Sequence, residues 1–197
     1  MTKTMIAAFG APLLALALAG CGHNGTANEQ AAAVGADNAA EVAPSGKTIG
    51  AMLGGGDLGT VGDVAKAAGL SDVLDGVGPY TLFAPTDDAF KALGNDQVDA
   101  LKKDDMKAQD AALLQAHIVP GFVTTADIAS AVDANKGSAA MTTMSGGTLT
   151  FTKSGDTIAV TADDGSKATL TGDERLGSNG AIHPVSALLV KSAAPAG

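Results

Sequence analysis

The spacing of apolar residues changes once along this chain, and this change restricts the possible folds more than any other feature of the sequence. In the first half, apolar residues recur at helical spacing, and helices are predicted over residues 60–68, 71–74, 86–94, 96–103, 107–116 and 125–132. In the second half they alternate with polar residues, and strands are predicted over residues 148–152, 157–161, 168–171, 181–183 and 187–190. Helices followed by an antiparallel meander are typical of an α+β fold.

Two short β-prone runs interrupt the helical half. Residues 80–84 form the first run, and Pro85 ends it. Thr86 then provides an N-cap, and acidic residues follow it in the first helical turn, where they interact favourably with the helix dipole. Residues 117–119 form the second run, which closes at Pro120-Gly121. The first half is therefore expected to contribute strands as well as helices.

The N-terminal segment has the organisation of an export signal. Lys3 precedes an apolar stretch over residues 5–19, which is shorter than the ~20 apolar residues of a membrane-spanning helix. Leu18-Ala19-Gly20-Cys21 resembles the bacterial lipobox, and this resemblance implies cleavage before Cys21 and lipidation of Cys21. An ordinary signal peptide with an incidental cysteine is the alternative. Gly22 after the cysteine favours the outer membrane over the inner membrane, by the same resemblance.

Composition divides the chain into four parts. Residues 1–20 are the predicted lipoprotein signal peptide, and residues 21–46 are mostly small and polar, which predicts a flexible tether. Residues 47–190 carry the periodic patterns without an internal repeat, so they are predicted to form one domain. Residues 191–197 are predicted to be a short tail. The expected product is one domain held by a lipid-anchored tether in the bacterial cell envelope.

The charge of the chain excludes one class of partner. There are 21 acidic and 12 basic residues, and the basic residues are scattered. Nucleic-acid binding depends on clustered Lys and Arg that neutralise phosphates, so no nucleic acid is expected as a partner. The same acidity disfavours attachment to anionic lipid through a basic surface. Membrane attachment is therefore expected to be covalent, through Cys21.

The sequence does not combine the residues of a catalytic or metal site. Cys21 is the only cysteine, and no serine lies in a G-x-S-x-G motif. His117 and His183 have aliphatic neighbours and are expected to be hydrogen-bonded core histidines; half a metal site is the alternative, but no nearby residue completes it. Residues 54–59 match G-x-G-x-x-G without a preceding strand and are interpreted as a loop. We therefore predict a protein that is not an enzyme and has no cofactor or metal.

Three separated stretches together resemble the signatures of the fasciclin (FAS1) domain. They are residues 80–90 (YTLFAPTDDAF), residues 113–121 (LLQAHIVPG) and residues 179–189 (NGAIHPVSALL). Their order and spacing agree with the family as well as their content, over about residues 47–190. The resemblance implies a wedge-shaped β-sandwich flanked by helices, and a role in adhesion and extracellular protein contacts.

The resemblance also suggests candidate partner-binding residues. An Asp-Ile pair that some adhesive members use has a match in Asp127-Ile128, and His117 matches the central histidine. Asp127 has a local explanation as well, because an aspartate in the first turn of a helix interacts favourably with the helix dipole. Many members have Tyr before the central histidine, whereas this chain has Ala116. The receptor binding of animal members is therefore not carried over at that position.

Two functions follow as hypotheses. The first is a lipid-anchored module of the cell envelope that contacts a protein or a polysaccharide in adhesion or matrix association. The alternative is a carrier of a small apolar ligand, which needs an apolar cleft between the helices and the sandwich. The export signal, the tether and the resemblance favour the first hypothesis.

Overall fold

The structure is a computed structural model that describes residues 44–190. The predicted signal peptide over residues 1–20, the lipidation site Cys21, the tether up to residue 43 and the tail over residues 191–197 lie outside the described residues. None of the helices within residues 44–190 is long and apolar enough to span a bilayer.

The described residues form seven α-helices and eight β-strands. The helices are α1 (Ile49–Met52), α2 (Gly59–Ala67), α3 (Ser71–Asp75), α4 (Asp87–Lys91), α5 (Asn95–Ala100), α6 (Lys107–Gln115) and α7 (Thr125–Ala134). The strands are β1 (Tyr80–Pro85), β2 (Ile118–Pro120), β3 (Ser138–Thr142), β4 (Thr148–Ser154), β5 (Thr157–Ala162), β6 (Lys167–Thr169), β7 (Arg175–Leu176) and β8 (Gly180–Val185).

The strands are arranged in two four-stranded sheets. The first sheet has the order β2-β1-β8-β7, in which β8 runs parallel to β1 while β2 and β7 run antiparallel to their neighbours. The second sheet has the order β3-β4-β5-β6 and is antiparallel throughout. Helices together with two packed sheets confirm the predicted α+β class and its sandwich.

Strand β1 contributes to both apolar clusters of the interior because successive side chains point to opposite faces. Leu82 and Ala84 belong to the cluster that the helices cover, together with Phe90 and Leu114. Phe83 belongs to the cluster that faces the second sheet. Its ring centroid lies 5.0 Å from that of Phe151 on β4. Helices α1–α6 thus cover one face of the first sheet, and the second sheet together with α7 covers the other.

The end of the chain differs from the meander predicted by alternation. Strand β8 runs parallel to β1, and residues 187–190, predicted as a strand, do not form one. The backbone N–H of Leu189 donates to a side chain, His117 Nε2, instead of to a neighbouring strand. His117, predicted within a strand, directly precedes β2. The sequence also does not predict α1, β3 or β7.

Candidate functional site

His117 is fully buried and both of its ring nitrogens are engaged. Its Nδ1–H donates to the carbonyl oxygen of Leu113 at 2.8 Å, and its Nε2 accepts the backbone N–H of Leu189 at 2.9 Å. The acceptor role of Nε2 assigns the proton to Nδ1. Burial lowers the pKa of His117 to about 4, so the ring is neutral near pH 7.

His183 lies on β8 and is almost fully buried. Its Nε2–H donates to the carbonyl oxygen of Val123 at 2.8 Å. Its Nδ1 faces Thr125 Oγ1 at 3.3 Å and Glu174 Oε2 at 3.8 Å. Glu174 Oε2 in turn accepts the backbone N–H of Thr125, the first residue of α7, at 2.8 Å. Burial lowers the pKa of His183, which favours the neutral ring.

The two histidines therefore act as structural hydrogen-bonding groups. A general base needs a ring nitrogen that can reach a substrate proton. In His117 both nitrogens bind backbone groups of the protein, and in His183 both face protein oxygen atoms. Within residues 44–190, no group of three or more His, Cys, Asp or Glu side chains is arranged to hold a metal ion. The local geometry is that of a core, as expected for both histidines.

Asp127 is exposed, but its carboxylate is already engaged with its own helix. Oδ2 accepts the backbone N–H and the hydroxyl of Thr124 at 2.9 and 2.7 Å, while the Thr124 hydroxyl oxygen accepts the Asp127 N–H. This is a capping box at the start of α7. The hydrogen bonds from Thr124 lower the pKa of Asp127.

The three candidate partner-binding residues differ in access. Ile128 is fully buried against the second sheet, and His117 is buried behind β2, so neither side chain presents atoms to a partner in this conformation. Asp127 alone reaches solvent. Cys21, the candidate lipidation site, lies outside the described residues.

The loop between β2 and α7 is fixed by hydrogen bonds on both sides of an exposed aromatic residue. Thr81 Oγ1 donates to the carbonyl oxygen of Gly121 at 2.8 Å and accepts the N–H of Val123 at 2.9 Å. Phe122, between them, is 41% exposed. Phe122 is not among the residues predicted from the sequence, although an aromatic side chain after Pro-Gly in a turn indicates an exposed apolar residue.

Asn179 joins three elements at the start of β8. Its Oδ1 accepts the N–H of Ile49, and its Nδ2 donates to the carbonyl oxygens of Leu74 and Gly76 at 2.9 and 2.8 Å. The following Gly180 is required because a Cβ atom there would overlap the carbonyl group of Tyr80. Asn179 therefore attaches α1 and α3 to the first sheet.

Asp110 on α6 is a buried carboxylate for which the structure shows no hydrogen-bond partner at either oxygen. Burial raises the pKa of Asp110 to about 6, because the charged form loses hydration. Asp110 is not among the residues predicted from the sequence either. Its signal is a charged residue placed four positions before Leu114, on the face of the helix that is otherwise apolar.

The described part of the protein contains small cavities. The first, between α1, α2 and α3, has a volume of about 240 Å³ and is lined mainly by small residues such as Gly50, Gly62 and Ala65. The second, beside Thr125, Glu174 and His183, has a volume of about 110 Å³. Both are smaller than the roughly 300–1,000 Å³ of typical small-molecule sites.

Comparison with known proteins identifies similar sequences. The sequence model of the Fasciclin domain family matches residues 56–191. Protein sll1483 of Synechocystis sp. is 30% identical over 183 residues, which cover 93% of this chain and 89% of that protein. Transforming growth factor-beta-induced protein ig-h3 of Sus scrofa is 28% identical over 135 residues, covering 68% of this chain and only 18% of that protein.

A solved structure has a similar fold. It is a pair of FAS1 domains from the insect cell adhesion molecule Fasciclin I, with a TM-score of 0.63 and 17% sequence identity. The match covers 74% of this chain and 51% of the solved chain, so the chain spans about half of that domain pair. At this identity the likeness concerns the fold alone.

Proposed function

This chain belongs to the fasciclin domain family, and from that membership we propose that it is a lipid-anchored binding module of the bacterial cell envelope. Fasciclin domains occur in proteins of cell adhesion and the extracellular matrix, and the family is an adhesion-type domain without a catalytic role. The proposed partner is a protein or a polysaccharide, contacted during adhesion or matrix association. The proposed anchor is lipidated Cys21, and the proposed location is the outer membrane.

One observation carries the choice of binding over catalysis. The ring nitrogens of His117 and His183 are directed at groups of the protein itself, and burial lowers both pKa values. These histidines lie in two of the three stretches that resemble the family signatures. We infer that these two stretches maintain the fold, and that a partner is contacted through surface residues instead. The alternative, a carrier of a small apolar ligand, gains no support from cavities of about 240 and 110 Å³.

The lipid anchor is tested with a Cys21→Ser variant. Cells that express the wild-type chain should incorporate labelled fatty acid into the protein, and the protein should sediment with membranes. The variant should show neither property, because serine cannot form the thioether on which the anchor depends. Absence of label from the wild-type chain would remove the anchor from the proposal.

The binding role is tested in cells that lack the gene. We expect them to attach poorly to surfaces or to aggregate less, and we expect the wild-type chain to restore attachment. Cys21→Ser should fail to restore it, although its folded domain is identical. Normal attachment by cells without the gene would refute the adhesive role while leaving the anchor intact.

A further inference from the structure

Register aligns the ends of the four strands of the first sheet to within one residue. Tyr80 of β1 pairs with Pro120 of β2 and with Gly180 of β8. Ala181 of β8 pairs with Leu176 of β7. The start of β1, the end of β2, the start of β8 and the end of β7 therefore meet at the same end of the sheet.

Exposed apolar residues lie in the two segments at this end that precede β1 and follow β2. Val77 is 97% exposed, Phe122 is 41% exposed, and Pro79 and Pro120 are exposed as well. The N–H of Gly121 donates to the carbonyl oxygen of Pro79 at 2.9 Å, which holds the two segments side by side. We call Val77, Pro79, Pro120 and Phe122 the apolar end; none of the four carries a charge.

The N-terminal part of the chain enters the domain at the same end. The N–H of Ser45 donates to the carbonyl oxygen of Leu176 at 2.7 Å, and the N–H of Ser178 donates to that of Lys47 at 2.8 Å. The entry is thus at the β7 side of this end, whereas Pro120 lies at the β2 side. Three strand spacings, about 14 Å in total, separate the two sides.

We propose that the apolar end docks on the bilayer that holds Cys21. The inference rests on the proposed lipid anchor, which brings this end of the sheet toward the membrane because the tether joins the domain here. A tether raises the effective concentration of the lipid surface, so a few apolar side chains suffice for docking. The chain carries a net charge of −9, so the surface it fits is an uncharged headgroup region with apolar residues inserted at its boundary.

The absence of tryptophan from the sequence permits a direct test. Single-tryptophan variants Phe122→Trp and Val77→Trp report on the apolar end, and Ala92→Trp is the matched control. Ala92 is exposed and is the C-cap residue of α4, which follows the opposite end of β1. The full lipidated chain is reconstituted into phosphatidylcholine vesicles with and without doxyl-labelled lipid, and circular dichroism verifies the fold of each variant.

Docking predicts quenching at one end of the sheet. The emission of Trp at positions 122 and 77 should shift to shorter wavelength and fall at least about twofold with doxyl lipid, and Trp at position 92 should change little. Equal responses at all three positions would overturn the proposal. So would a response at position 122 that needs an added envelope protein, because the surface would then be a protein contact.

The two proposals fail in different ways. If the chain takes up fatty acid and sediments with the vesicles but Trp at position 122 is not quenched, the anchor stands and docking is wrong. If no fatty acid is incorporated, the proposed anchor is wrong. Docking depends on that anchor, so this result would refute docking as well.

Discussion

His117 Nε2 accepts the backbone N–H of Leu189 at 2.9 Å, across 72 positions of the sequence. The same ring binds the carbonyl oxygen of Leu113, four residues before it. His117 therefore connects the end of α6 to the segment that follows β8. Two stretches that resemble family signatures are thus two sides of one buried hydrogen-bonded junction, which gives the resemblance a physical cause.

His117→Ala should lower the free energy of unfolding by about 3 kcal/mol, because it leaves a cavity and two unpaired backbone groups. His117→Gln, whose amide can donate and accept, should lower it less. Urea denaturation followed by circular dichroism measures both. A wild-type stability in the alanine variant would mean that the junction contributes nothing.

Gly180→Ala should destabilise the protein by about 3 kcal/mol or prevent folding, because its Cβ atom would overlap the carbonyl group of Tyr80 in the central strand pair. Gly54→Ala is the matched control, since the space around a Cβ atom there is open. Thermal unfolding of the two variants compares them. Equal melting temperatures would show that β1 and β8 can separate at this point without penalty.

Local patterns in the sequence predict the parts of this fold that depend on neighbouring residues. The strand alternation of β4 and β5 and the N-cap Thr86 are read directly from spacing. The parallel pairing of β8 with β1 joins Tyr80 to Gly180 across 100 residues, and no local pattern contains that information. Pairing of this kind is decided by how two sheets and a helical layer share one core.

The candidate site shows the same division between local and tertiary information. The expectation that both histidines are hydrogen-bonded core residues follows from their aliphatic neighbours. The exposure of Phe122 depends on Thr81, a residue 41 positions earlier whose hydroxyl fixes both flanks of the loop. The burial of Ile128 beside exposed Asp127 needs the position of α7 on the second sheet. A motif match alone cannot show that Asp127 is accessible to a partner whereas the adjacent Ile128 is not.

Asp127→Ala should lower the free energy of unfolding by about 1 kcal/mol, because α7 loses its capping box. Asp127→Asn should lower it less, since its amide oxygen can still accept from Thr124. Urea denaturation gives the two values. If Asp127 also contacts a partner, the asparagine variant should bind the partner more weakly than its small loss of stability explains. If this variant binds the partner as tightly as wild type does, the carboxylate serves only to cap α7.

The pH dependence of stability should reveal the neutral state of His117. Its pKa is lowered from 6.5 to about 4, so the unfolded chain binds the proton first as the pH falls. The stabilisation is present above pH 6.5 and is lost as the pH falls toward 4, by roughly 3 kcal/mol. His117→Gln cannot titrate there. The difference in unfolding free energy between wild type and this variant should therefore shrink on acidification, and a constant difference would contradict the burial of a neutral ring.

Asp110 should make the free energy of unfolding decrease as the pH rises, which is opposite to the effect of His117. The two pH ranges overlap, so the pH dependence of the wild-type protein alone does not separate the two effects. Its pKa is raised from 3.8 to about 6, so the folded chain keeps the proton longer, and the stabilisation present below 3.8 is lost as the pH rises through 6. Asp110→Asn stays neutral throughout. It should match wild type near pH 4 and exceed it by about 2 kcal/mol at pH 8, measured by urea denaturation. If the variant is the less stable protein at pH 8, the charged carboxylate has a favourable partner and the assigned burial is wrong.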